Sequence, residues 1–196
     1  MYQQARSIFL CIALFTVNVF SITDLQAQQP IPAKKLIVPG KQIGLTRISD
    51  RATLVRKRLG APSFEEAAMG KSLAQWISAN DNRIETDIFF ITNMGAANEA
   101  SRAEMIRVSS PYFITQQQIA TGSTLSAIQP LYPRIKKLGT YTQAETHFTI
   151  ALYDDRKAGI CFEIDEAGKC VGIAIHKPGK ESYGLYFALF PGFTIL

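Results

Sequence analysis

Between residues 146 and 190 the chain runs through four short segments, Thr146–Tyr153, Gly159–Ile164, Cys170–His176 and Tyr183–Phe190, separated by turn-forming residues. In the first three, apolar side chains recur at every second position, the period that sends successive side chains to opposite faces of a strand. The Asp154-Asp155-Arg156-Lys157 and Asp165-Glu166-Ala167-Gly168 stretches carry the acidic and glycine chemistry of tight turns. The segments therefore read as successive antiparallel hairpins. A meander of this kind has an apolar face that something else must cover.

The rest of the chain supplies a similar meander and two helices. Leu36–Val38 is a short strand stopped by Pro39-Gly40. Asp50 is placed to cap a helix on which Ala52, Val55 and Leu59 share a face; Gly60 ends it, with Pro62 just beyond. Strands are expected at Leu73–Ser78, Arg83–Thr92 and Glu104–Ser109, with a polar loop from Asn93 to Arg102. The order then restarts. Gly122-Ser123-Thr124 leads into a helical stretch from Leu125 to Tyr132, limited by Pro130 and Pro133. Asp50 and Ser123 occupy matching cap positions, and Val55 and Ile128 follow each by five residues. The expected fold class is α+β: two tandem helix-plus-antiparallel-meander units packed together, residues 36–110 and 111–196.

The amino end carries an export pattern. Arg6 supplies a positive charge, an apolar run extends from Ile8 to Ile22, and Thr23-Asp24-Leu25-Gln26-Ala27 places a small residue before Gln28. Residues 1–27 are read as a cleavable signal peptide and residues 28–35 as a flexible leader, so the expected location is secreted or periplasmic. The apolar run is short for a membrane span and holds Asn18. No second long apolar run follows, and the mature chain is expected to have no transmembrane span. Cys11 lies inside the apolar run, where acylation would leave almost no hydrophobic region.

The formal charge of +5 survives cleavage, because the removed segment carries one charge of each sign. Its basic residues are dispersed apart from Arg51–Arg58 and Arg134–Lys137, with no stripe suited to nucleic acid.

The stretch Ile43-Gly44 … Ile48-Ser49-Asp50 … Leu54-Val55 … Leu59-Gly60-Ala61-Pro62 resembles the opening of small exported modules of the beta-lactamase-inhibitor-protein-like superfamily. Ile119 … Gly122-Ser123-Thr124 … Ile128 … Tyr132-Pro133 is similar to the same opening in a second copy. The superfamily fold also occurs in small outer-membrane assembly lipoproteins, whose acylated cysteine this chain lacks. What the resemblance implies is a binding or accessory module, by analogy of fold alone.

Assembled chemistry is hard to find. Alternation sorts Phe148, Ile150, Leu152, Ile160, Phe162, Ile164, Val171, Ile173 and Ile175 to a core face, and His147, Tyr153, Cys161, Glu163, Cys170 and His176 to the other. A four-residue turn at Asp165–Gly168 sets Cys161 opposite Gly172 and Cys170 opposite Glu163. His147 and His176 then lie at opposite ends of the sheet, about 25–30 Å apart, so no shared metal site is expected. Cys161 and Cys170 lie diagonally, at or past the ~7 Å Cα limit for a disulfide; a bond there would staple one hairpin. No serine sits in a nucleophile elbow and neither cysteine has a placed histidine. The paired carboxylates at 154–155 and 165–166 read as turn residues. No catalytic residue, metal or cofactor is assigned.

Partner contact is the remaining chemistry. Trp76, Phe89 and Ile91 fall on the sides of their strands away from the expected core, and Tyr153 joins them from the second meander. The apolar tail 183–196 reads as a final strand buried between the halves. The expected function is a non-enzymatic module engaging another envelope or extracellular protein through a sheet face. The alternative is an enzyme or small-ligand binder with its site on the His147/His176 face.

Overall fold

The structure is a computed structural model and describes residues 30–78, 85–142, 147–190 and 192–196. Residues 1–27, expected as a signal peptide and holding Cys11, lie outside the described residues, as do Arg83, Ile84 and Thr146 from the expected strands. Residues 31–196 form one unit. The stretch expected as a flexible leader, 28–35, holds a 3-10 turn at Ala33–Lys35 in its described part. It leads into β1 (Leu36–Val38), β2 (Gln42–Ile43) and β3 (Thr46–Arg47), then α1 (Ala52–Leu59). A first meander follows: β4 (Phe64–Ala68), β5 (Lys71–Ile77), β6 (Glu85–Thr92) and β7 (Ser101–Val108). After β8 (Ile114–Thr115) and α2 (Leu125–Ile128) comes a second: β9 (Lys136–Thr142), β10 (Thr149–Asp155), β11 (Ile160–Ile164) and β12 (Cys170–His176). The chain ends with α3 (Tyr183–Leu189) and β13 (Thr194–Ile195).

The meanders do not pack face to face as separate units. β7 pairs with β12, Ala174 opposite Arg107 and Ile175 opposite Ile106, so both belong to one nine-stranded antiparallel sheet in the order β13-β9-β10-β11-β12-β7-β6-β5-β4. A small four-stranded sheet, β3-β2-β1-β8, completes the strands. The three helices are short, and the described residues are mainly β. This corrects the α+β expectation of two tandem helix-plus-meander units packed together. Cross-strand pairing between the inner strands of the two meanders, which local patterns do not encode, makes one sheet out of two.

Both faces of the large sheet are covered. On one, Ile88, Phe90, Ile106, Phe162, Ile173 and Ile175 pack with Ile37 of β1, Val55 of α1 and Ile128 of α2. On the other, Leu73, Phe89, Met105, Ile150, Leu152, Cys161 and Ala174 pack with Leu185 and Tyr186 of α3 and with Phe193. The segment expected as a last strand is thus mostly helix. Its buried Leu185 and Tyr186, with Leu189 also packed down, follow helical spacing.

Several local readings shift by a residue or two. Arg51 takes the cap position of α1, and the Asp50 carboxylate instead accepts from the Arg47 backbone N–H and from Arg58. In α2 the cap is Thr124, which accepts from Ala127 N–H, while Ser123 accepts from Ala120 N–H. Asp154 and Asp155 are strand residues at the end of β10, with Asp155 opposite Ile160. A bulge between Glu163 and Ile164 sets Ile164 against Cys170 and Glu163 against Gly172. That extra residue puts Cys170 with the α1/α2 side of the core and Cys161 with the α3 side. Both thiols are buried and free, so the disulfide considered from the sequence is not formed. Ile150 and Leu152 likewise lie on the α3 face, opposite to Phe162 and Ile173.

Tyr186 is fully buried, and its hydroxyl is the one buried side-chain N or O among the described residues without a hydrogen-bond partner. Burying an unpaired hydroxyl costs about 1–3 kcal/mol. Tyr186→Phe is therefore expected to raise the unfolding free energy by up to about that amount. Urea titration of the two proteins checks this, and a clear loss of stability in the variant would contradict it.

Candidate functional site

The α3 face holds three polar or open features side by side. The first is an ionic row running across the sheet. Arg107 on β7 donates from Nε and Nη2 to Glu163 Oε1 and Oε2 at 2.7 and 2.8 Å, and from Nη1 to Asp87 Oδ2 at 2.6 Å. Gln75 donates to Asp87 Oδ1 at 2.8 Å, and Tyr141 donates its hydroxyl to Glu163 Oε2 at 3.0 Å. Arg107 and Glu163 belong to β7 and β11, with β12 between them. Contact across that strand is possible because Gly172 lies opposite Glu163, and a Cβ there would collide with the carboxylate. Phe190 roofs the row, stacked on Tyr141 at 3.8 Å and 5.6 Å from the Arg107 guanidinium. Burial and the Glu163 charge push the Tyr141 phenol far above its ordinary range. At the solvent end, burial and the neighbouring Asp87 raise the Glu85 carboxyl.

The second feature is a compact cluster at the end of β10 and β12. Asp154, Cys161, His176 and Ser182 are all buried. His176 Nε2 lies 3.0 Å from Asp154 Oδ1, and its Nδ1 lies 3.0 Å from the Lys177 carbonyl oxygen. The Cys161 thiol points to Asp154 Oδ1 at 3.4 Å, and Ser182 donates to Oδ2 at 3.1 Å. Burial, then the Asp154 charge, pushes the Cys161 thiol well up, so it is not poised as a nucleophile.

The third is a groove between α3 and the outer part of the sheet. One cavity of about 590 Å³ is lined by Leu73, Phe89, Ile91, Tyr183 and Phe187, with Glu66 and Ala68 of β4. A second, of about 660 Å³, shares Phe89, Ile91, Tyr183 and Gly184 with it and continues to Met105, His176 and Lys180. Ile91, Phe187 and Met69 stay exposed at 39%, 49% and 96%, so the groove keeps an open apolar wall. Beside it runs β4, all five residues exposed and paired only to β5.

Of the residues expected to meet a partner, Phe89 and Ile91 line this groove. Trp76 does not. It sits in the core on the opposite face with its indole N–H bonded to the Gly60 carbonyl at 3.1 Å. Tyr153 packs half-buried against that same core. His147 is exposed just before β10, whereas His176 ends β12, so the two imidazoles do not share a site. The sequence reading missed Asp154, Glu163, Arg107 and α3. An unbroken alternation from Ile150 through Leu152 to Asp154 was the available signal for the first.

No protein-family model matches the chain, and no curated protein matches it. Among solved structures, it is similar in outline to a DUF4309 family protein, YjgB, from Bacillus subtilis. The two are 12% identical over 70% of this chain and 88% of that one, with a TM-score of 0.42. A likeness that weak carries no argument, and none of the three comparisons supports the beta-lactamase-inhibitor-protein-like resemblance. Among the described residues no helix is long and apolar enough to cross a membrane.

Proposed function

We propose that the chain is an exported, non-enzymatic module that binds another envelope or extracellular protein, and that it takes an extended apolar segment of that protein along β4 and the groove beside it. The observation carrying this reading is the coincidence of an unpaired strand edge with an open apolar wall. An edge strand offers free N–H and C=O groups to an incoming strand, and pockets for alternate side chains supply selectivity. Phe64, Glu66 and Ala68 pair with Gln75, Leu73 and Lys71, which puts them on the α3 face. A strand added outside β4 would direct every second side chain toward Phe64, Met69 and Phe187. Glu66 and Lys71 on the lining favour a segment with a charged residue of each sign among its apolar ones.

The test is selection from a displayed library of peptides of about ten residues, the length of a long strand. Enriched peptides are expected to alternate apolar residues and to slow hydrogen exchange in β4. Ile91→Glu and Phe187→Glu, both at exposed positions, are expected to weaken the selected peptides about tenfold or more while leaving the fold intact. Binders that protect another surface, or that tolerate both substitutions, would reject the reading. Selective uptake of small amphiphiles in place of peptides would favour a ligand carrier instead.

A further inference from the structure

We propose that Asp154, Cys161 and His176 form a binding site for one thiophilic divalent cation of the zinc class, reached from the groove beside α3. The donor set is one thiolate, one imidazole and one carboxylate, each a zinc ligand. Their ligand atoms all lie within 4.8 Å of one another. Four-coordinate zinc, with bonds of about 2.0–2.3 Å, has ligand–ligand edges near 3.3–3.7 Å. The Nε2–Oδ1 and Sγ–Oδ1 separations of 3.0 and 3.4 Å are within a few tenths of those edges.

The outer contacts are those of a metal site. The Lys177 carbonyl can only accept, so Nδ1 carries a proton there and Nε2 is the nitrogen turned toward Asp154. Nε2 faces Asp154 Oδ1 at 3.0 Å, and a bound metal would take the place of an Nε2 proton in that contact. Ser182 holds the second carboxylate oxygen. A dication with one thiolate and one carboxylate is charge-neutral, which suits a site whose three ligands are all buried. The thiol proton leaves to solvent when sulfur binds the metal. His176 also lines the inner end of the groove, the side from which a fourth ligand would enter.

Untagged full chain is titrated with Co²⁺ and, in competition with a chromophoric chelator, with Zn²⁺. The expected result is one equivalent bound, a sulfur-to-cobalt charge-transfer band, and a rise in Tm with metal. Cys161→Ser should abolish the band, Cys170→Ser should keep it, and Ser182→Ala should weaken binding about 10–100-fold. The band in the unaltered chain needs no variant to fold, and its absence at stoichiometric cobalt overturns the proposal. So does binding that survives Cys161→Ser or disappears with His147→Gln. Peptide binding in the groove is read separately, so either result can fail alone.

Discussion

Replacing Arg107 with methionine is expected to lower the unfolding free energy by about 3–5 kcal/mol, the usual effect of removing one partner from a buried ion pair. The side chain hydrogen-bonds two carboxylates, Asp87 and Glu163, both 0% exposed, and lies 3.6 Å from a third, the more exposed Glu85. Methionine fills much of the same volume but leaves two buried anions without their cation, and Tyr141 and Gln75 offer only neutral donors. Removing the charges together should be far less harmful. Asp87→Leu and Glu163→Met added to Arg107→Met are expected to recover most of the loss, since a packed apolar substitute often matches a buried ionic group. Gly172→Ala should act in the same direction as Arg107→Met without touching a charge, because its Cβ would occupy the space of the Glu163 carboxylate. Urea unfolding with unchanged m values measures all three. An Arg107→Met protein of undiminished stability would show that the row is solvated rather than buried.

The parts of this fold written in local pattern were readable, and those set by distant pairing were not. Gly159–Ile164 and Cys170–His176 carry the alternation, and β11 starts one residue later than expected while β12 has the expected bounds. Val171 spoils the inference from that alternation: as the extra residue of a bulge it inverts the faces on its side of the strand, separating Cys170 from Cys161. Nothing in the sequence marks the bulge. Asp154 was taken for a turn residue because Asp-Asp-Arg-Lys has turn chemistry. Its partners, His176 and Ser182, come from 22 and 28 residues away and decide that it is buried. The groove depends on α3, and there the pattern was present. Leu185, Tyr186 and Leu189 lie on one helical face, but a segment apolar at nearly every position reads as a buried strand just as easily. Alternation turned Phe89 and Ile91 away from Ile88 and Phe90, and both line the groove. Trp76 was misplaced because the chain around Gly60, which covers it, is invisible to strand patterns.

Above pH 10 the fold is expected to lose about 5–6 kcal/mol for each further pH unit. Tyr141, Tyr186, Cys161 and Cys170 each keep their proton in the folded chain well past the ordinary values of 10.0 for the phenols and 9.0 for the thiols. Burial is the main cause at all four; the second is the Glu163 charge, except at Cys161, where it is the Asp154 charge. In the unfolded chain they ionise at those ordinary values. At high pH the folded state therefore binds four more protons than the unfolded state, and stability falls as pH rises. Each retained proton contributes about 1.4 kcal/mol per pH unit. Below pH 9 both states hold these protons, so the four groups leave stability flat there. A domain stable by about 5–15 kcal/mol would then unfold within a few pH units of the onset. Urea titrations between pH 8 and 11, with tyrosinate absorbance followed in parallel, give both the slope and its source. The absorbance of Tyr141 and Tyr186 should appear only as the chain unfolds, and Tyr186→Phe should remove about a quarter of the slope. Ionisation of those tyrosines near pH 10 in a chain that remains folded and equally stable would refute the account.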